Sequence, residues 1–137
     1  LNTYKLQTTP GTSYLEYAGA SGGGPGTPAG YFRWKLFNTF TYTLSDITLG
    51  LRWQHLSPVK NVAKVTSPTS TLPDIAAYDL IDLFTNIKIG REMQLRAGVT
   101  NLFNKQPPVT GAFAGTTNPY DYDIVGRRFF VGATVNF

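Results

Sequence analysis

Few side chains in this 137-residue chain can do covalent chemistry, and their spacing limits what they could do. His55 is the single histidine, and there is no cysteine. A His-based metal site and a His-dependent nucleophilic triad cannot be assembled within the chain, and neither can a thiolate site or a disulfide scaffold. Asp121 and Asp123, in "YDYD", have the spacing of paired carboxylates that hold a cation or share a proton. The plainer reading is loop solvation at the entrance of a strand, and it is adopted. "GGGPGT" at 22–27 has the glycines of a phosphate cradle. No Gly-Lys-Ser/Thr follows and no helix opens after it, so it reads as a flexible loop. No catalytic residue, metal ligand or cofactor site is assigned.

Binding chemistry is better represented. Arg33, Lys35, Arg52, Lys88, Arg96 and Arg128 fall on mixed strand faces, against Asp82. Such a basic wall lines a path for an anionic ligand or grips an acidic partner. A water-filled lumen would also be polar for no further reason. Tyr14, Tyr17, Phe113, Tyr120 and Tyr122 lie in or beside long loops. Their rings either stack on a ligand, such as a sugar or an aromatic chelator, or anchor the loops. The net charge of +4 is modest, and no Lys/Arg cluster runs along a helix-like segment, so no nucleic-acid partner is expected.

The elements that must position these residues are strands. Charged residues are only 15 % of the chain, aromatics reach 14 %, and there are 14 glycines, a balance that suits an all-β chain. No apolar run approaches the roughly 18 residues of a spanning helix. The start, "LNTYKLQTTPG", has no basic region followed by an apolar core and is not a signal peptide. Alternating side chains mark about six strands. They cover residues 1–8, 31–44, 47–57, 77–90, 92–103 and 124–137. One face carries Phe32, Trp34, Leu36, Phe40, Tyr42 and Leu44, then Ile47, Leu49, Leu51 and Trp53. It continues with Ile81, Leu83, Ile87 and Ile89, and with Met93, Leu95, Ala97, Val99 and Phe103. Asn38 is the misfit on that face.

The connections alternate in length. "SD" at 45–46 and "GRE" at 90–92 are tight turns, whereas residues 9–30, 58–76 and 104–123 are long. An antiparallel meander whose every second connection is short has its short turns at one end, as outer-membrane barrels do. The strands also reach the roughly 9–11 residues that a tilted membrane strand needs. Aromatics near strand ends suit interfacial girdles, and His55 is placed at the interface beside Trp53. In the closing "GRRFFVGATVNF", Phe129, Val131, Ala133, Val135 and Phe137 make one wholly apolar face.

Three segments carry a resemblance. Gly98-Val99-Thr100-Asn101-Leu102-Phe103-Asn104-Lys105, followed by Pro107-Pro108, resembles the "G-x-x-N-L-F-(D/N)-K-x-P-P" segment of TonB-dependent receptors. "YDIVGRRFFVGATVNF" is similar to that family's last strand, and "AYDLIDLFTNIKIG" to the strand before both. Together they cover most of residues 77–137, and residues 1–76 fit by strand–loop rhythm and "LGLRWQHLS".

The resemblance implies that residues 1–137 are the C-terminal portion of a ~22-stranded barrel whose lumen holds a plug. On this expectation the plug and the earlier strands are absent, and Leu1 falls inside the barrel sequence. The implied location is the Gram-negative outer membrane, crossed many times. The implied function is import of a scarce large solute (a siderophore, a vitamin or a carbohydrate) with energy delivered through TonB to the plug. No enzyme activity and no cofactor are implied. The implied partners are the rest of the barrel, the plug, TonB through the plug, outer-membrane lipid, an unknown small-molecule ligand and the barrel-assembly machinery. Phe129, Val131, Ala133, Val135 and Phe137 resemble the signal that this machinery reads. Two rival readings are a small independent outer-membrane barrel, porin-like or adhesive, and a soluble sugar-binding β-sandwich.

Overall fold

The computed structural model describes residues 1–7, 9–21, 30–109 and 117–136. In chain order the elements are β1 (Lys5–Leu6), β2 (Leu15–Glu16), β3 (Ala20–Ser21), β4 (Lys35–Leu44) and β5 (Ile47–Leu56). They continue with β6 (Lys60–Asn61), the single-turn helix α1 (Ala63–Thr66), β7 (Tyr78–Ile89), β8 (Met93–Thr100) and β9 (Arg128–Val135). The protein is all-β, and it divides into two compact units. The sheet unit is Leu36–His55, Asp79–Gln106 and Val125–Phe137. The loop unit is Leu1–Lys35, Leu56–Tyr78 and Pro107–Ile124.

The sheet unit is an antiparallel sheet of five strands in the order β4-β5-β7-β8-β9. Each long strand neighbours the next one in sequence, as alternation and connection length predict. The two tight turns fall where the sequence places them. Ser45 turns the chain with φ 51° and Gly90 with φ 63°. A left-handed φ carries no steric penalty at glycine and is uncommon at serine. Beside the first turn the Thr43 and Thr48 hydroxyls meet at 3.0 Å.

Register carries the functional argument. Leu83 pairs with Val99, Thr85 with Ala97, Ile87 with Leu95 and Ile89 with Met93. The next pair of strands aligns Val99 with Phe129, Ala97 with Val131, Leu95 with Ala133 and Met93 with Val135. Directly opposite residues project from the same face. The apolar sets of three strands therefore share one side of the sheet. A slip of one residue in any strand would send its whole apolar set to the other side.

Two expectations need correction. Residues 1–8 do not form a strand of the large sheet: Lys5 and Leu6 pair with Glu16 and Leu15 in a separate two-stranded sheet. The large meander thus has five strands rather than six. The strand drawn at 31–44 begins at Lys35, and Phe32 is buried at 5 % exposure instead of lying on an outer apolar face. Residues 31–34 are taken up by hydrogen bonds within the loop unit. Tyr31 N–H donates to the Ala20 carbonyl at 3.0 Å, Gly19 N–H to the Tyr31 carbonyl at 2.6 Å and Ser57 N–H to the Trp34 carbonyl at 3.3 Å.

The described parts of the long connections fold together. Among the described residues, every buried apolar side chain belongs to the loop unit: Tyr17, Ala18, Ala20, Phe32, Leu56, Val59, Ile75, Tyr78 and Tyr122. Tyr122 meets Tyr78 edge-on at 5.2 Å between ring centroids, and Phe32 at 6.1 Å. Edge-to-face contacts of this kind add to the gain from burial. Burial pushes the Tyr122 hydroxyl well above the ordinary tyrosine value, and the Asp121 charge adds to the shift. A parallel bridge joins β3 to β6, pairing Ala20 with Lys60 and Ser21 with Asn61. Leu56→Ala should therefore destabilise the loop unit by about 2–5 kcal/mol, the usual cost of emptying a buried leucine site. Amide hydrogen exchange should show lost protection at Val59 and Ile75 and little change along β8; uniform loss everywhere would contradict two separately packed units.

Candidate functional site

The sheet has two chemically different faces. The first carries Leu49, Leu83, Val99, Phe129, Val131 and Val135. Phe129 is 75 % exposed and Val131 83 %. These side chains form no protein core. Thr85, the polar residue in this set, turns its hydroxyl back and donates to the Thr48 carbonyl at 3.1 Å. A hydroxyl satisfied by its own sheet needs no water. Asn38, the polar misfit read from the sequence, is half-buried, and β4 runs through it without a break.

Trp53, His55 and Asp79 form one polar cluster. The Asp79 carboxylate accepts from Trp53 Nε1 at 2.8 Å and lies 2.7 Å from His55 Nδ1. The two rings meet nearly edge-on at 6.1 Å. His55 does sit beside Trp53, as the sequence suggests. An indole with an apolar body and a hydrogen-bonded tip is the type of group found at a membrane–water boundary.

The second face is basic and glycine-lined. Arg52 approaches Asp82 at 3.9 Å and lies over the Phe84 ring at 5.9 Å. Asn86 pairs with Arg96, Arg96 with Gly132 and Thr100 with Arg128. Arg128 Nε donates to the Thr100 hydroxyl at 3.1 Å. Lys88 pairs with Gln94 on the same face. Arg52, Lys88, Arg96 and Arg128 are thus placed together, with Asp82 among them. Two of them, Arg52 and Arg96, line a hollow of about 210 Å³ together with Asp82, Asn86, Phe84 and Phe130. Arg33 and Lys35 belong to the loop unit instead, where Lys35 Nζ lies 4.6 Å from the centre of the Phe32 ring.

Sequence reasoning missed how flat this face is. Phe84 lies over Gly50, Phe130 over Gly98 and the Arg96 side chain over Gly132. A Cβ at any of the three glycines would come within 2.8 Å of the covering side chain. The signal was present as glycines at 50, 98 and 132, all in phase with the polar set. Aromatic rings laid over strand glycines recover packing that the missing side chain forfeits.

The "NLFNK" segment builds the turn that ends β8. Asn101 adopts φ 52° and Asn104 φ 52°. Asn101 Nδ2 donates to the Lys105 carbonyl at 3.0 Å, and its Oδ1 accepts from Lys105 N–H at 2.7 Å. Its own N–H donates to Asp82 Oδ1 at 2.9 Å. Asn104 Oδ1 in turn accepts from Arg127 N–H at 3.2 Å, just before β9. Asparagine tolerates the left-handed region and bonds the local backbone, so both positions suit it. Asp82 thereby touches both the basic face, through Arg52, and this turn.

In the loop unit the predicted ligand-contact aromatics divide. Tyr14 and Tyr120 are exposed, the latter at 84 %. Tyr17 and Tyr122 are buried and so serve as anchors of the loops, not as an open stacking surface. Phe113 lies outside the described residues, as do Phe137 and the "GGGPGT" stretch at 22–27. Asp121 closes loops: its Oδ2 accepts from Gly30 N–H at 2.7 Å, Asn118 Nδ2 at 2.7 Å and the Ser21 hydroxyl at 3.4 Å. These bonds give Asp121 a structural role in the loop unit.

No family model, no curated protein and no solved structure matches this chain. The residues themselves therefore carry the functional argument. Asn101→Ala removes the side-chain hydrogen bonds to Lys105 and leaves a strained φ, so it should cost about 1–3 kcal/mol. Asn101→Asp keeps the acceptor for Lys105 N–H and should cost less. Urea titration of the folded protein checks the order; equal costs would show that the side-chain bonds contribute nothing.

Proposed function

We propose that this chain is part of the wall of a transmembrane β-barrel in the Gram-negative outer membrane, of the TonB-dependent receptor type. In this reading the barrel takes up a scarce, large solute with TonB-coupled energy. The observation that carries it is the sheet with no apolar core of its own. Its in-register apolar face is exposed, while its opposite face holds arginines, a carboxylate and glycine-seated rings. A soluble sheet buries such a face under a second layer. A barrel in lipid presents it to acyl chains and turns the mixed face to a wet lumen.

Several features support the finer reading. The two tight turns lie on alternate connections, in the manner of short periplasmic turns. The "NLFNK" residues that resemble the receptor family make a hydrogen-bonded turn between β8 and the approach to β9. The outer strands of the sheet, β4 and β9, each have one paired neighbour among the described strands. Within lipid an open strand edge is not tolerated, so further strands complete the barrel. On this reading Arg52, Lys88, Arg96 and Arg128 line the lumen and meet the plug or a passing solute. The apolar run Phe129, Val131, Ala133 and Val135 faces lipid and serves the assembly machinery, and the loop unit presents Tyr14 and Tyr120. The chain has no catalytic role.

Two measurements test this. In the barrel containing this chain, Val131→Arg should destabilise folding into lipid vesicles by about 2–4 kcal/mol, the cost of a cation near the bilayer midplane. Thr134→Arg, on the opposite face, should be nearly neutral. Equal costs would refute the face assignment. Uptake by cells carrying the protein should stop when a protonophore collapses the inner-membrane gradient; uptake that persists would identify a passive pore instead.

A further inference from the structure

The loop unit contains a second polar hollow that the transport reading does not use. Three separate segments meet there. Residues 16–20 supply Glu16, Ala18, Gly19 and Ala20, residue 33 supplies an arginine, and residues 60–65 supply Lys60, Lys64 and Val65. Backbone bonds hold the segments in place: Lys60 N–H donates to the Gly19 carbonyl at 2.8 Å, and Gly19 N–H to Tyr31. Gly19 has φ 79°, and a Cβ there would stand 2.9 Å from Arg33 Nε. Glycine therefore lets the Arg33 side chain lie down against the backbone at the edge of the hollow.

The charges do not balance. Glu16 is committed to the backbone, where Oε1 accepts from Tyr4 N–H at 2.7 Å and Ala18 N–H at 2.8 Å. Those bonds hold its carboxyl below the ordinary carboxylate value. Asp74 accepts from Lys64 Nζ at 3.0 Å and from Asn61 N–H at 3.1 Å. Lys60 makes no side-chain hydrogen bond or ion pair among the described residues, although it is in electrostatic range of Asp74. Lys5 also acts on Glu16. Four cationic side chains are thus answered by two carboxylates, both already hydrogen-bonded.

We propose that this hollow binds a sugar-sized solute through a single oxyanion group, a carboxylate or a sulfate ester, held by Arg33 and Lys60. The volume of about 280 Å³ accommodates one such unit. Among the described residues the lining offers no aromatic platform, so a neutral sugar lacks the ring face on which it would stack. An anion gains charge-assisted hydrogen bonds from two cations of different geometry. Val65, Ala18 and Ala20 supply a small apolar wall for the rest of the solute. The site lies wholly within one compact unit, so the proposal does not rest on the sheet lying in a membrane.

The test is calorimetric titration of the barrel containing this chain, in detergent micelles, with galacturonate, galactose 6-sulfate and galactose. The expected result is binding of one or both anionic sugars, with galactose at least roughly tenfold weaker. Preference for one anion identifies the carboxylate or the sulfate source. Lys60→Gln and Arg33→Gln should each weaken the anion by roughly tenfold, Lys60→Arg should retain it, and raised salt should weaken it. Val109→Ala, at an exposed position of the same unit, should leave it unchanged. Because the Lys60 side chain makes no hydrogen bond or ion pair among the described residues, its variants keep the test valid if Arg33→Gln fails to fold. Equal binding of galactose, no binding of either anion, or unchanged affinity in Lys60→Gln would each overturn the proposal.

Discussion

The structure depends on the phase of its strand pairing. Val99 lies opposite both Leu83 and Phe129, and every neighbouring pair on β7, β8 and β9 keeps the same parity. Because side chains alternate strictly, that one constraint decides which residues meet which surroundings. It gathers the apolar sets on one face and sets Arg52, Asp82, Arg96 and Arg128 on the other. It also puts Gly98 between Phe84 and Phe130, so the mixed face stays shallow enough to leave a hollow among its charges. Among the described residues, no buried apolar cluster within the sheet unit enforces this pairing. The apolar face needs neighbours from outside the sheet, and in the proposed reading lipid supplies them.

The loop unit follows a different logic. It holds a conventional small core, assembled from segments far apart in sequence, and polar residues fasten it. Asp121 gathers three donors, Glu16 two and Asp74 two. Buried or half-buried backbone groups that strands would normally satisfy are satisfied here by carboxylates. In the proposed reading the sheet unit is a uniform wall, while the loop unit has a shape fixed by its own packing. It also separates the basic residues into two sets, one on the sheet face and one around Arg33 and Lys60.

Much of the sheet was legible because period-two alternation is a local signal. The strands ending at Leu44 and starting at Ile47, the turns at Ser45 and Gly90, and the shared face of Leu83, Val99 and Val131 all follow from it. The loop unit was not legible for the opposite reason. Tyr17, Phe32, Tyr78 and Tyr122 are drawn together by contacts across long stretches of chain, and no periodicity in "GASGGGPGTPAG" or "SPTSTLP" announces them. Phe32 misled because it continues the alternation of the strand that follows, yet hydrogen bonds to residues 19–20 claim its segment first. Residues 1–8 misled because a short alternating run does not say which sheet it joins. The basic residues were correctly grouped only where a strand register carried them; Arg33 precedes its strand and went elsewhere. Asn101 stands in the segment that resembles the receptor family, but its local role, a left-handed turn closed by its own amide, leaves no periodic signal in the sequence.

The account stands or falls on the two faces of the sheet meeting different media. The chain has no cysteine, so single cysteines can be placed in turn from Met93 to Thr100 and spin-labelled without background. In lipid bilayers, collision with oxygen reports acyl chains and collision with a water-soluble nickel chelate reports water. The account predicts a period of two: labels at 93, 95, 97 and 99 favour oxygen, and labels at 94, 96, 98 and 100 favour nickel. Nickel access at every position, or oxygen access at the even ones instead, would contradict it.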